Sequence, residues 1–322
     1  MNKIKISIAV LCLSLGLNTN AFSQNRSIPL GSGKLGGSDH AAGSVLCRLN
    51  NTATSSAKSN CVAMISKGSV YNLNKLRSGE FQVVLATPGT AAASYAGNEP
   101  FQSAGPHKEL RALFSLSPSF LMLIVNKNSS INKFEDIRGK RIYADLSGSS
   151  STSFLLQEIL TAFKINKNEF QLAPDMPFEA QSKALCKGEI EAFAVNTGAG
   201  AKYISDALAC GARLVPIAGP KAEELAKNSR ALRMGIIPAD TYDGQTGATK
   251  TLTETDTIVT TTQLSTEEAY NIVKSVFENL NEVKKSHLAF KNIDPNAMSK
   301  EALGVPLHEG ALRYFKEKGL AS

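Results

Sequence analysis

The stretch IPLGSG, residues 28–33, decides the fold class, because it reads as a short strand that ends in glycines and leads into a helical segment at about 38–50. Two more short apolar strands follow at 61–65 and 81–86, and a short helix is predicted between them at 69–78. Strands that alternate with helices in this way are typical of a mostly parallel sheet covered by helices. The chain is therefore predicted to be an α/β protein.

The same alternation recurs farther along the chain and predicts a second α/β unit. Its predicted elements are strands at 142–144, 191–195 and 213–217 and helices at 153–163, 178–187 and 199–209. The apolar stretches FLMLIV, at 120–125, and MGIIP, at 234–238, are predicted to cross between the units. We therefore expect two α/β lobes joined by these crossing strands. Lobe 1 would comprise 24–118 and 238–322, with helices at 265–280 and 309–318, and lobe 2 would comprise 119–237.

The first residues have the pattern of a secretory signal peptide. Lys3 and Lys5 precede an uncharged apolar run at 6–17, and small polar residues follow as far as Ser23. The run is shorter than the ~20 residues that a membrane-spanning helix needs. We therefore predict that residues 1–23 are a signal peptide, cleaved near Ser23, and that the protein is periplasmic.

Charge and length exclude some classes of function. The formal net charge is +7, but the lysines and arginines are scattered and form no basic block, so nucleic-acid binding is not predicted. The length suits two domains, and a monomer is expected. Neither a nucleophile elbow nor a metal-ligand spacing is present, so we predict no enzyme activity, no metal and no cofactor.

Four cysteines follow the predicted signal peptide, and an even number in an oxidising compartment suggests disulfides. Spacing alone allows three pairings of Cys47, Cys61, Cys186 and Cys210. The local pairs 47–61 and 186–210 are the most economical, and each would contribute roughly 3 kcal/mol on the chain-entropy model.

Three turns between a predicted strand and a predicted helix combine glycine with small polar residues, at 33–39, 67–73 and 145–152. The first N–H groups of a helix lack internal partners, and the helix dipole favours an anion beside them. We therefore predict that these turns face a shared cleft and hold a small carboxylate. Plain N-capping by serine is the alternative for each turn.

The whole mature chain resembles the TAXI family of TRAP-transporter substrate-binding proteins. The matching segments are GSVYNL (68–73), LRALFSL (110–116), FEDIRGKRI (134–142), SGS (147–149), ALCKGEIEA (184–192), VKSVFEN (273–279) and PLHEGALRYFKE (306–317). The resemblance implies a periplasmic-binding-protein-like α/β fold, with two lobes joined by crossing strands and a ligand cleft between them. It also implies a receptor that gives a glutamate-like or other small carboxylate to a membrane permease driven by an ion gradient. It also supports the two local cysteine pairs.

The resemblance places six residues of this sequence in the ligand site: Gly68, Ser69, Asn72, Ser147, Gly148 and Ser149. The chain departs from the family pattern at three turns that would shape the pocket. These turns are Ser-Asp-His at 38–40, Ala-Thr-Pro at 86–88 and Thr-Gly-Ala at 197–199. Residues at or beside these turns complete the predicted ligand site: Ser38, Asp39, His40, Thr87, Ser150 and Asn196. An exported sensor subunit on the same fold is the alternative function.

Overall fold

The computed structural model describes residues 26–53, 59–148, 150–229 and 231–321. The predicted signal peptide and Ser149 lie outside the described residues. No helix within these four ranges has the length and apolar character needed to cross a bilayer.

The predicted alternation of strands and helices is present, and the described residues form ten strands and eleven α-helices. The strands are β1 (Arg26–Gly31), β2 (Ser59–Met64), β3 (Val83–Ala86), β4 (Leu110–Val125), β5 (Arg141–Ala144), β6 (Gln171–Leu172), β7 (Ala192–Gly198), β8 (Arg213–Val215), β9 (Arg233–Ile237) and β10 (Thr249–Thr261). The helices are α1 (Ser38–Ala53), α2 (Ser69–Arg77), α3 (Pro88–Ala96), α4 (Ser151–Ala162), α5 (Phe178–Cys186), α6 (Lys202–Ala209), α7 (Pro220–Asn228), α8 (Thr266–Phe277), α9 (Leu280–Ser286), α10 (Pro295–Lys300) and α11 (Glu309–Glu317).

All ten strands belong to one sheet, whose main path runs β2-β1-β3-β10-β4-β7-β5-β6. At one end β1 pairs in parallel with β2 and β3, and at the other β5 pairs in parallel with β6 and β7. Between these parallel groups lie β4 and β10, which are antiparallel to each other. The carboxyl ends of β1 and β7, where ligands bind in parallel sheets, both lead toward the middle of the molecule.

The two long strands β4 and β10 connect the two halves of the sheet. Along its first half β4 pairs with β10, and from Ser119 onward it also pairs with β7, so the predicted crossing at 120–125 is its second half. The second predicted crossing, at 234–238, is wrong. That segment forms β9, which pairs only with the first residues of β10, whereas β10 continues to β3.

Four clusters of buried side chains cover the two faces of the sheet, two in each half. One half is centred on residues such as Leu46 and Phe315 on one face and Leu73 on the other. The other half is centred on Ile159 on one face and Phe193 on the other. Each half therefore has its own core, and we call the half that contains β1–β3 the first lobe and the half that contains β5–β7 the second lobe.

Both local cysteine pairs are bonded in the structure. Cys47 of α1 is joined to Cys61 of β2, and Cys186 at the end of α5 is joined to Cys210 just after α6. The first bridge therefore lies within the first lobe and the second within the second lobe. Neither crosses the cleft, so the disulfides stabilise each lobe without restricting movement between the lobes.

Candidate functional site

A pocket lies between the two lobes, lined by β7, by α5 and by the turns that follow β1, β2 and β5. Its cavity volume is only about 40 Å³, so the lobes leave room for little more than water here and must part to admit a ligand. The lining residues are Gly33, Lys34, Gly37, Ser38, Asp39, Lys67, Gly68, Tyr143, Asp145, Ser150, Thr152, Phe178, Gln181, Ala194, Val195, Asn196 and Thr197. We call it the interlobe pocket.

The first turn of α1 supplies an acidic group to this pocket. The Asp39 side chain packs over Gly33, where an added Cβ would lie 2.6 Å from the Asp39 Cβ. Ser38 Oγ lies 3.4 Å from Asp39 Oδ1 and can donate a hydrogen bond to it. Burial raises the pKa of Asp39 to about 6, although that hydrogen bond opposes the shift. The carboxyl group is therefore mostly ionised at neutral pH.

The same turn contacts the second lobe directly. The backbone N–H of Gly198, at the end of β7, donates a hydrogen bond to Ser38 Oγ over 2.8 Å. Gly198 has no space for a side chain, because an added Cβ would lie 2.7 Å from the Ala289 Cβ and 2.8 Å from the Ser38 Cβ. Ser38 begins α1 and Ala289 packs on the first-lobe core. The lobes are therefore in contact at the pocket.

The turn between β5 and α4 directs its polar groups at one another. Ser150 is the N-cap of α4, where its Oγ accepts a hydrogen bond from Ser153 N–H and donates one to Asp145 Oδ2. Ser147 also donates to Asp145, and the Gly148 N–H donates to Ser153 Oγ. Burial acts to raise the pKa of Asp145, but the hydrogen bonds from these serines outweigh it and lower the pKa. The turn therefore holds a carboxylate of the protein itself.

The turn between β2 and α2 stabilises the first lobe. Ser69 is buried and its Oγ accepts the Thr87 N–H at 3.1 Å. Asn72 is fully buried, and its Nδ2 atom donates to the carbonyl groups of Gly31, Ser32 and Leu85. These hydrogen bonds tie the ends of β1 and β3 to α2. Of this turn, Lys67 and Gly68 line the interlobe pocket.

Sequence reasoning missed the acidic groups on β10. Glu254 is buried and its Oε1 accepts a hydrogen bond from Asn196 Nδ2 at 2.9 Å, while Asp256 accepts one from Ser119 Oγ at 2.5 Å. Burial raises the pKa of Glu254 to about 8 and that of Asp256 well above its usual range, and the charge of Asp39 adds to both shifts. The stretch TETD alternates threonine with acid, which is a period-two signal for these side chains sharing one face.

The structure brings together only part of the predicted ligand set. The predicted residues that line the interlobe pocket are Ser38, Asp39, Gly68, Ser150 and Asn196. The others, apart from Ser149, are not among its lining residues: His40, Ser69, Asn72, Thr87, Ser147 and Gly148. Thr87 pairs with Thr90 and lines a second cavity, and His40 Nδ1 lies 3.4 Å from Ser32 Oγ. Their roles in binding stay predictions.

The charged residues of the pocket differ from those expected in a simple anion-binding site. Lys34 and Lys67 line it, but Lys34 acts on Asp145, whose pKa it lowers. Asp39 also lines it, and its charge acts on Glu254 and Asp256 of β10. Among the described residues, no group of three or more histidine, cysteine or acidic side chains is arranged to hold a metal ion. The pocket therefore offers acceptors for a positively charged or hydrogen-bond-donating organic group.

Comparison with known proteins gives one family and a shared fold. A family model described as the NMT1-like family matches residues 30–319. A solved structure from Bordetella bronchiseptica is 11% identical, with a TM-score of 0.56 over 91% of this chain and 98% of that one. A periplasmic transporter is 12% identical, with a TM-score of 0.53 over 91% and 94% of the two chains. A Xanthomonas citri protein bound to ATP is 11% identical, with a TM-score of 0.52 over 91% and 96%.

At such identities these structures show the fold alone. The fold is the two-lobed α/β arrangement of periplasmic binding proteins, as the sequence predicts. In that arrangement, the long strands β4 and β10 join the lobes and the interlobe pocket lies between them.

Proposed function

This chain belongs to the NMT1-like family, and from that membership we propose that it is a periplasmic solute-binding receptor that closes on a small molecule and presents it to a membrane transporter. Fold by itself does not imply function, so the proposal depends on the site. The observation that carries it is the interlobe pocket, because both lobes supply its walls and the Gly198 N–H donates across it to Ser38 Oγ.

Contact with both lobes is what such a receptor requires. A ligand shifts an equilibrium between open and closed forms only by binding one of them more tightly. A molecule in this pocket would touch Asp39 of the first lobe and Ser150 and Asn196 of the second. The two disulfides do not cross the cleft, so they leave the lobes free to move. These features support closure around a ligand.

We further propose that the receptor serves a TRAP-type transporter and that its ligand has a carboxylate. The support for both is the resemblance of the sequence to the TAXI family. Within the pocket, Lys34 and Lys67 are the basic groups that an anionic end of the ligand would meet near the mouth. Export to the periplasm is part of the same proposal, and the two disulfides are consistent with it. The predicted lobes, 24–118 with 238–322 and 119–237, stay part of this proposal, with the second boundary moved from 238 into β10.

Reconstituted transport tests the proposed function. A permease encoded beside this chain would be placed in liposomes, and uptake of radiolabelled solutes would be followed with and without the purified receptor. We expect uptake that requires the receptor and a sodium or proton gradient, with no ATP. Uptake that is driven by ATP would contradict the TRAP assignment and leave the receptor role intact, whereas uptake that ignores the receptor would contradict both.

A further inference from the structure

The bottom of the interlobe pocket has a carboxyl group that the protein does not neutralise. Asp39 lines the pocket and its described hydrogen-bond partner is the hydroxyl group of Ser38. No cation contributes to the pKa shift of Asp39, and its own negative charge raises the pKa values of Glu254 and Asp256 on β10. Lys34, in contrast, acts on Asp145 at the rim. Buried charges in proteins are normally paired, so Asp39 calls for a positive partner.

A second, independent acceptor faces the same space. Gln181 of α5 is fully buried and lines the pocket, and its Oε1 atom has no hydrogen-bond partner among the described residues. The amide orientation is fixed, because its Nε2 atom donates to the Met176 carbonyl oxygen at 3.1 Å and an oxygen placed there would find no hydrogen. Buried polar atoms are nearly always bonded, so a free acceptor that lines a pocket points to a donor on the ligand.

The pocket wall also suits a cation. Phe178 lines the pocket, and the ammonium group of Lys34 already lies 5.2 Å from the centre of its ring. The same ring is stacked on Tyr203, with ring centres 4.2 Å apart. An aromatic face attracts ammonium and guanidinium groups, so a ligand cation would use this ring by taking the place of Lys34.

We propose that the ligand enters the interlobe pocket with a protonated nitrogen group, a primary ammonium or a guanidinium, which pairs with Asp39 and donates to Gln181 Oε1. This inference rests on the proposed receptor function and names the chemistry of its ligand. Asp39 lies in the SDH turn, where this chain departs from the family pattern. A carboxylate at the same place would meet the Asp39 carboxyl group with no cation to offset it. A ligand carboxylate, where there is one, would therefore lie toward Lys34 and Lys67, the basic groups that line the pocket.

A series of compounds of equal length separates the two chemistries. Putrescine has two ammonium groups, 4-aminobutyrate has one ammonium and one carboxylate, and succinate has two carboxylates. These three, together with agmatine and the common amino acids, would be tested by thermal shift, and the tightest binder by calorimetry. We expect a nitrogen compound to bind and succinate not to bind. Tighter binding of succinate, or no stabilisation by any nitrogen compound, would overturn the inference.

Asp39→Asn tests the residue, with Asp243→Asn as the matched control because Asp243 is exposed and outside the pocket. A hydrogen bond to a charged group is typically worth enough to change affinity by about 10- to 100-fold. We expect Asp39→Asn to weaken binding of the nitrogen compound by that factor and to raise the affinity for succinate relative to it. Loss of the fold would lower both affinities together and cannot produce this change. Gln181→Met, which removes the acceptor at similar volume, should weaken the nitrogen compound by several-fold. Unchanged affinity in both variants would contradict the inference.

The same samples distinguish this inference from the proposed function. Compaction of the protein by succinate, measured by solution scattering, would leave the receptor function standing while overturning the nitrogen ligand. Binding of a nitrogen compound in an Asp39-dependent way without compaction would support the ligand chemistry while contradicting a receptor that closes.

Discussion

Replacing Gly198 with alanine should hold the two lobes apart. The added Cβ would lie 2.7 Å from the Ala289 Cβ and 2.8 Å from the Ser38 Cβ, and Gly198 also donates its N–H to Ser38 Oγ across the cleft. Overpacking of a closed contact costs about 1–3 kcal/mol and loss of a hydrogen bond about 0.5–1.5 kcal/mol. Because opening the cleft relieves both, the cost falls on the closed form.

The expected size follows from these values. Together these costs are about 1.5–4.5 kcal/mol, and because they apply only to the closed form they weaken ligand binding by about 10- to 1,600-fold. Calorimetry with the tightest compound of the panel measures this change, and the melting temperature of the free protein should change little. Gly247→Ala is the matched control, because an added Cβ there meets nothing within 4 Å. If Gly198→Ala binds as tightly as the unaltered protein, the contact does not control closure and the reasoning is wrong.

Three further predictions concern the disulfides, one predicted site residue and pH. The native protein should contain no titratable thiol until it is reduced, and removing either disulfide should cost about 2–5 kcal/mol of unfolding free energy, as measured by denaturant melts; free thiols in the native protein would contradict this. Ser69→Ala should lower the free energy of unfolding by about 1–3 kcal/mol, because it leaves the buried Thr87 N–H without its acceptor. The same variant should leave ligand affinity nearly unchanged, and a loss of affinity without a loss of stability would restore Ser69 to the ligand site. Because burial raises the pKa of Glu254 to about 8, the folded protein binds more protons than the unfolded chain between pH 4.5 and 8, so stability should fall as pH rises through this window. Glu254→Gln should flatten that fall in melting curves recorded from pH 5 to 9, and an equal slope in the variant would assign the effect to other groups such as Asp256.

Much of the architecture could be predicted from the sequence, because the periodicity of apolar residues indicates which face of a helix or strand is buried. The helix predicted at about 38–50 is present as α1 (Ser38–Ala53), and the helix predicted at 69–78 as α2 (Ser69–Arg77). The second strand that joins the lobes was not predicted, because β10 (Thr249–Thr261) is mostly threonine and has no long apolar run. Its hydrogen bonds to β3, β4 and β9 come from distant parts of the chain, and a local pattern cannot record them.

The candidate site was harder to predict than the fold, because a turn can be located without knowing which way its side chains point. Ser69 and Ser150 both stand at helix starts, yet Ser69 faces the Thr87 backbone and only Ser150 lines the interlobe pocket. Ser150 is also the N-cap of α4, which is the alternative role that the sequence left open for the serine at each turn. Glu254 was missed because an acidic residue in a polar stretch suggests exposure, and its burial depends on the packing of both lobes.

Solution scattering with and without ligand tests the central claim most directly. A ligand that contacts both lobes must shift the open form to the closed one, and moving that equilibrium from 1:99 to 99:1 takes about 5.5 kcal/mol of differential binding. We predict that the radius of gyration falls when the tightest compound saturates the protein, and that Gly198→Ala shows a larger radius than the unaltered protein at the same concentration. An unchanged radius at saturation would contradict a receptor that closes its lobes around a solute.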